Sequence, residues 1–122
     1  MELKNQVVSL DLAKKMKELG FEQESIFRWV CRKNGKISLK FSRSVFMDNQ
    51  WEISAYTVAE LGEIGKRGKI GITAYSEMTK HWWVTGGEWI VEKQKYSHLE
   101  EGEKWADVLA KMLIYLKEQK LI

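Results

Sequence analysis

Lys80-His81-Trp82-Trp83-Val84-Thr85-Gly86-Gly87-Glu88-Trp89-Ile90-Val91-Glu92-Lys93 is the stretch on which the fold turns. Two short runs rich in β-branched and aromatic residues flank a glycine pair. That predicts a β-hairpin with Gly86 and Gly87 as its loop. Thr85 then faces Glu88, Val84 faces Trp89, Trp83 faces Ile90, Trp82 faces Val91 and His81 faces Glu92. Side chains alternate across a sheet, so Trp82, Val84, Trp89 and Val91 share one face, a ready core. Trp83 and Ile90 share the other, ringed by His81, Thr85, Glu88 and Glu92. What that second face does is the main functional question the sequence poses.

Upstream, Ile26 to Phe41 reads as another hairpin, with Asn34-Gly35 as the turn between two apolar runs. In that register Arg32 faces Ile37, Val30 faces Leu39 and Arg28 faces Phe41. Ile26, Val30, Ile37, Leu39 and Phe41 are then the core face, and Phe27, Trp29 and Cys31 join Ser38 and Lys40 on the other. A one-residue slip would exchange the two faces. Between this hairpin and residue 56, Val45, Phe46, Trp51 and Ile53 need burial, Asp48-Asn49 signals a turn, and part of the segment extends the sheet.

Three helices frame these strands. Ser9 caps the first, in which Leu12, Met16 and Leu19 recur at i, i+4, i+7. Gly20 sits where a left-handed C-cap belongs, and Phe21 where a Schellman motif places its apolar contact, onto Met16. Thr57-Val58-Ala59-Glu60 is a capping box that opens a short helix ending by Gly65, with Tyr56 and Leu61 at the staple positions. Lys66-Arg67-Gly68-Lys69 follows as an exposed basic loop, then a strand from Ile70 to Ser76. Ser97-His98-Leu99-Glu100 reads as a second capping box. It would open the longest helix, whose stripe is Trp105, Val108, Leu109, Met112 and Leu116, with Asp107 and Lys111 as a favourable pair. That helix is expected to pack across the sheet.

The expected fold is therefore a single α+β domain over residues 1–122. It has a mainly antiparallel sheet of about four to five strands built from two hairpins, and three helices in the order α-ββ-α-βββ-α. Hydrophobic residues make up 44% of the chain and charged residues 30%, ordinary for a globular protein, while six tryptophans are many. A formal charge of +3 permits nucleic-acid contact without the dense basic stripe of a dedicated binder. Cys31 is the one cysteine, which excludes an intramolecular disulfide and a cysteine-based zinc site. The polar start Met1-Glu2-Leu3-Lys4-Asn5-Gln6 carries no secretory signal, and no apolar run approaches the ~20 residues of a membrane span. A cytoplasmic location and no membrane contact are expected.

Familiar chemistries fit poorly. His81 and His98 lie far apart, and His81 opposite Glu92 supplies two metal ligands where a structural site wants four. Cys31 sits in an apolar strand as a small hydrophobe with no base brought to it by a motif. Gly65 to Lys69 lacks the strand-before, helix-after context of a phosphate loop, and its cations complement a helix C-terminus instead. A helix-turn-helix over Met16 to Arg32 fails because Met16 occupies the small-residue position and the second segment is made of β-formers. Neither a catalytic residue nor a cofactor or metal site is expected.

What remains is a surface: Trp29, Lys40, Lys66, Arg67, Lys69, His81, Trp83 and Ile90. Its aromatics and cations suit either a protein partner, where Trp and Arg are enriched, or the stacked bases and phosphates of a nucleic acid. A helix covering the second sheet face would reduce it to core. An uncovered aromatic face makes a homodimer plausible.

Three segments together carry a resemblance. They are Val7 to Gly20 with the following Gln23 to Val30, then Tyr56-Thr57-Val58-Ala59-Glu60-Leu61-Gly62, and Ala110 to Leu116 running on to Leu121-Ile122. They resemble a group of small phage- and prophage-encoded bacterial proteins of unassigned function, from which Lys66 to Lys95 departs most. The shared motifs are caps and core stripes. The resemblance therefore implies a phage accessory protein with no known activity, and carries over no catalytic residue; the absence of familiar chemistry and the second sheet face are what suggest that it binds a host or phage macromolecule.

Overall fold

The structure is a computed structural model that describes residues 2–42, 49–65 and 70–122, with the backbone alone at Ile72. Its elements run α1 (Leu10–Glu18), β1 (Phe27–Arg32), β2 (Ile37–Phe41), β3 (Asn49–Ala55), α2 (Val58–Gly65), β4 (Ile70–Ser76), β5 (His81–Ile90), β6 (Lys95–Gly102) and α3 (Trp105–Glu118). Among the described residues the fold is α+β with three α-helices. Its strands form two antiparallel sheets, ordered β2-β1-β3 and β4-β5-β6.

β5 corrects the predicted Gly-Gly hairpin. His81 to Ile90 is one continuous strand in the middle of its sheet, and no chain reversal occurs at Gly86-Gly87. A two-residue turn of type I′ needs positive φ at both central residues. Of this pair only Gly87 has it, at +88°. Gly86 pairs with His98 and Trp89 with Tyr96, so Gly87 and Glu88 together oppose Ser97 alone, which is a β-bulge. Ser97 Oγ accepts the Glu88 N–H at 3.0 Å and satisfies the backbone that the bulge displaces from the ladder. A second register shift separates Ile70 from Thr73 on the β4 side. The glycines have a packing cause as well. A Cβ at Gly71 would lie 2.2–2.7 Å from the ring of Tyr96, which reaches across β5 to rest there. Trp89 meets that ring edge-on at 5.1 Å.

The bulge also redistributes the predicted faces. Trp82 and Val84 point at the core, but Trp89 and Val91 are 51% and 71% exposed.

β6 replaces the predicted second capping box. Lys95 to Gly102 is a strand whose residues alternate between exposed and half-buried, and α3 begins only at Trp105. The sequence misleads here because Ser-x-x-Glu is equally available to a polar edge strand; pairing with β5 overrides the local signal.

In the first sheet, Phe27 pairs with Phe41, Trp29 with Leu39 and Cys31 with Ile37. This is the one-residue slip from the predicted register. Its cause is the loop: Arg32 N–H donates to Lys36 O at 2.9 Å and Gly35 has φ +85°, so three residues turn the chain where two were expected. Phe27, Trp29, Cys31, Ile37, Leu39 and Phe41 therefore share one face, and β3 adds Trp51, Ile53 and Ala55 to it.

The helices meet between the sheets, with α3 at the centre. Ala106, Val108, Leu109, Ala110, Met112, Leu113, Ile114 and Leu116 are all buried, as expected of a helix apolar on most sides. It packs on β5 and β6 and against α1 and α2, while α1 lies on β3. The predicted stops and starts hold at the other helices. Phe21 N–H donates to Met16 O at 3.1 Å beyond Gly20 (φ +90°), closing the Schellman motif. Thr57 and Glu60 exchange both capping-box bonds, at 2.9 and 3.2 Å. Ser9 stands at the start of α1 as predicted, but its hydroxyl makes no capping bond. No helix among the described residues is long and apolar enough to cross a membrane.

Candidate functional site

The described residues of the predicted surface do not assemble in one place. Trp29 is a half-buried residue on the inward face of β1, where its indole N–H donates to Val8 O at 2.9 Å and its ring packs on the core. Lys40 pairs with Arg28 on the opposite face of the same sheet. His81 and Trp83 belong to the other sheet, and Ile90 ends β5 beside Lys95. Lys66, Arg67 and Lys69 lie outside the described residues.

His81, Trp83 and Thr85 do share the face of β5 that points away from α3. Their cross-strand neighbours Ala74, Leu99 and Glu101 are exposed, so among the described residues no helix covers this face. Trp83 is pinned there rather than free: its indole N–H donates to Glu101 Oε2 at 2.9 Å, and the His81 ring sits 5.2 Å from it and 3.8 Å from the same carboxylate. His98 is held differently, stacked on Tyr115 of α3 at 3.6 Å with its Nε2 on the Glu100 carboxylate. The two histidines therefore belong to separate contacts. Among the described residues no cluster of three or more His, Cys, Asp or Glu could hold a metal ion. Cys31 is buried.

Two features emerge that sequence reading missed. The first is the outer end of the first sheet. Ile37 and Phe41 are 44% and 45% exposed, and Phe27 meets Phe41 edge-on at 5.8 Å. The apolar face of this sheet is core beneath Ile53 and Trp29, but it runs on past the helices to β2. The one-residue slip is what puts Ile37 and Phe41 on the same face as Phe27. On the opposite side Arg28 is clamped to Glu52 at 2.7 Å and to Gln23 O at 2.6 Å.

The second feature is a groove of about 800 Å³ between the N-terminal segment, the start of α2 and the start of α3. Asn5, Gln6, Thr57, Val58, Ala59, Trp82, Glu103, Lys104 and Trp105 line it. Trp82 and Trp105 stack face to face, 4.3 Å apart and 5° from parallel, and Tyr75 leans on Trp82 at 4.5 Å. Lys104 closes the groove with its side chain only 23% exposed, 3.9 Å from Asp107 Oδ1. Burial pushes the Lys104 amine below the usual lysine range, and the nearby Asp107 carboxylate opposes that shift. In the sequence Trp82 and Trp105 look like ordinary core residues, and nothing in the spacing of 23 positions brings them together.

No known protein family, curated protein or solved structure matches this chain.

Proposed function

We propose that this chain is a non-enzymatic protein-interaction module. From the resemblance carried by its caps and core stripes, we place it as a phage or prophage accessory protein working in the bacterial cytoplasm. The observation that supports the interaction reading best is the strip of Ile37 and Phe41, two large apolar side chains on one face of β2, each nearly half exposed. Among the described residues β2 is the end strand of its sheet, in the strand order β2-β1-β3. An end strand with an apolar face offers a partner backbone hydrogen bonds along its edge and side-chain burial beside it. The expected partner is a host or phage protein that adds a segment there.

The test compares capture from a nuclease-treated bacterial lysate at high salt by the tagged protein and by its Ile37→Lys and Phe41→Lys variants. A discrete protein retained by the parent and lost by both folded variants supports the reading. Equal retention by all three would remove the strip from it.

A nucleic-acid partner is the second reading, favoured by one observation. The hairpin from Phe27 to Ser42 carries Arg28, Arg32, Lys33, Lys36 and Lys40 and no acidic residue. Binding through phosphates would show as nucleic acid that copurifies at low salt and is lost as salt rises, because released counterions drive it.

A further inference from the structure

We propose that the groove between α2 and α3 is a binding site for a small planar aromatic anion, its ring lying on Trp105 and its anionic group meeting Lys104. This goes beyond the interaction strip, which lies on the other sheet. The groove's volume, about 800 Å³, falls within the range of small-molecule sites. Tyr75, Trp82 and Trp105 already form a column of rings, and Trp105 ends it inside the groove, 37% exposed. A further flat ring continues such a column with the offset-stacked geometry aromatic pairs prefer.

Lys104 supplies the charge. Among the described residues its one ion-pair partner is Asp107, 3.9 Å away, and the same Oδ1 already accepts the Ser9 N–H at 2.7 Å. The ammonium is thus partly desolvated and only loosely neutralised. Ammonium groups in that condition gain most from a second anion, and buried, shifted lysines in clefts mark functional sites. Asn5 also lines the groove and brings a side-chain amide, a donor and acceptor, to its border.

Two sources share this chemistry, an aromatic carboxylate and a nucleoside monophosphate, and calorimetric titration separates them. Indole-3-acetate represents the first and AMP the second, with neutral indole and acetate alone as controls. One or both anionic rings should bind roughly tenfold or more tighter than either control, the gap expected of one charge-assisted contact. Lys104→Met should bring the anionic ring down to the affinity of indole, and Trp105→Ala should abolish binding of both. Tighter binding of AMP identifies the nucleotide arm, and tighter binding of indole-3-acetate the carboxylate arm. An anionic ring that binds no better than indole, or binding unchanged in a folded Lys104→Met protein, overturns the proposal.

Discussion

The backbone N–H of Ser9 donates to Asp107 Oδ1 at 2.7 Å, a bond that joins the start of α1 to the start of α3 across 98 positions of sequence. The carboxylate lies in the first turn of α3, where the helix dipole favours negative charge, and it also faces Lys104. Asp107→Ala removes an acceptor from a part-buried amide and an anion from a helix start at once. A loss of about 2 kcal/mol is expected, read as a lower urea midpoint with unchanged slope. Asp107→Asn keeps an acceptor oxygen and should lose about half as much. Equal losses in the two variants would mean that charge, and not the bond to Ser9, is what matters there.

Glu60 is more than half of a capping box. Its Oε1 accepts the Thr57 N–H at 2.9 Å while its Oε2 accepts the Ile26 N–H at 3.1 Å, so one carboxylate ties α2 to the entry of β1. Thr57 contributes one bond in return, from its hydroxyl oxygen to the Glu60 N–H. Thr57→Ala should therefore cost about 1 kcal/mol, the usual value of a lost cap, and Glu60→Ala about twice that. Thermal unfolding of the two variants ranks them, and a Thr57→Ala protein less stable than Glu60→Ala would contradict this assignment.

The same two caps show why part of the fold was legible and part was not. Thr57 to Glu60 and Gly20 with Phe21 are local devices, satisfied by residues within a few positions, so spacing alone revealed them. The helix stripe of α3 was legible for the same reason, since Val108, Leu109, Met112 and Leu116 need only a helical period. Ser97 to Glu100 carries the same letters as a capping box, yet it pairs with β5, because a ladder bond between strands does not appear in either strand's spacing. Gly86-Gly87 failed likewise: the pair that signals a turn here leads into a bulge, with Gly87 and Glu88 opposite Ser97. The groove was beyond reach, as its parts come from residues 5–6, 57–59, 82 and 103–105.

The glycines divide by backbone and by space. Gly62 lies within α2 with no positive φ, and a Cβ there would meet nothing within 4 Å. Gly62→Ala should raise stability by about 0.5–1 kcal/mol, since alanine restricts the unfolded chain and favours the helix. Gly87 has φ +88°, and a Cβ there would come 2.2 Å from Ser97 Oγ, the atom that accepts the Glu88 N–H. Gly87→Ala should therefore lower stability by about 1–3 kcal/mol through backbone strain and the disturbed bulge. Chemical denaturation of both variants checks the pair, and a tolerated Gly87→Ala would argue that the bulge can relax.

Tyr56 carries the clearest pH signature. Its side chain is 2% exposed, and burial pushes its phenol up to about 12, with Glu60 and Glu22 adding to the rise while Ser54 and Arg28 oppose it. The folded protein then holds this proton at pH values where the unfolded chain, with its ordinary value of 10.0, has lost it. Stability from this group is fully present below pH 10 and falls as pH rises towards 12, because each step of pH charges the unfolded state first. The full swing is on the order of 2–3 kcal/mol. Tyr56→Phe cannot ionise, so the difference in stability between parent and variant should change by that amount across pH 10 to 12, whatever the lysines do in both. At neutral pH the same substitution should be harmless, within about 1 kcal/mol, since the Tyr56 hydroxyl makes no hydrogen bond of good geometry with the nearby Ser54. A neutral-pH loss beyond that would show that the phenol is well bonded, and parallel alkaline unfolding curves for the two proteins would show that it is not the group that titrates.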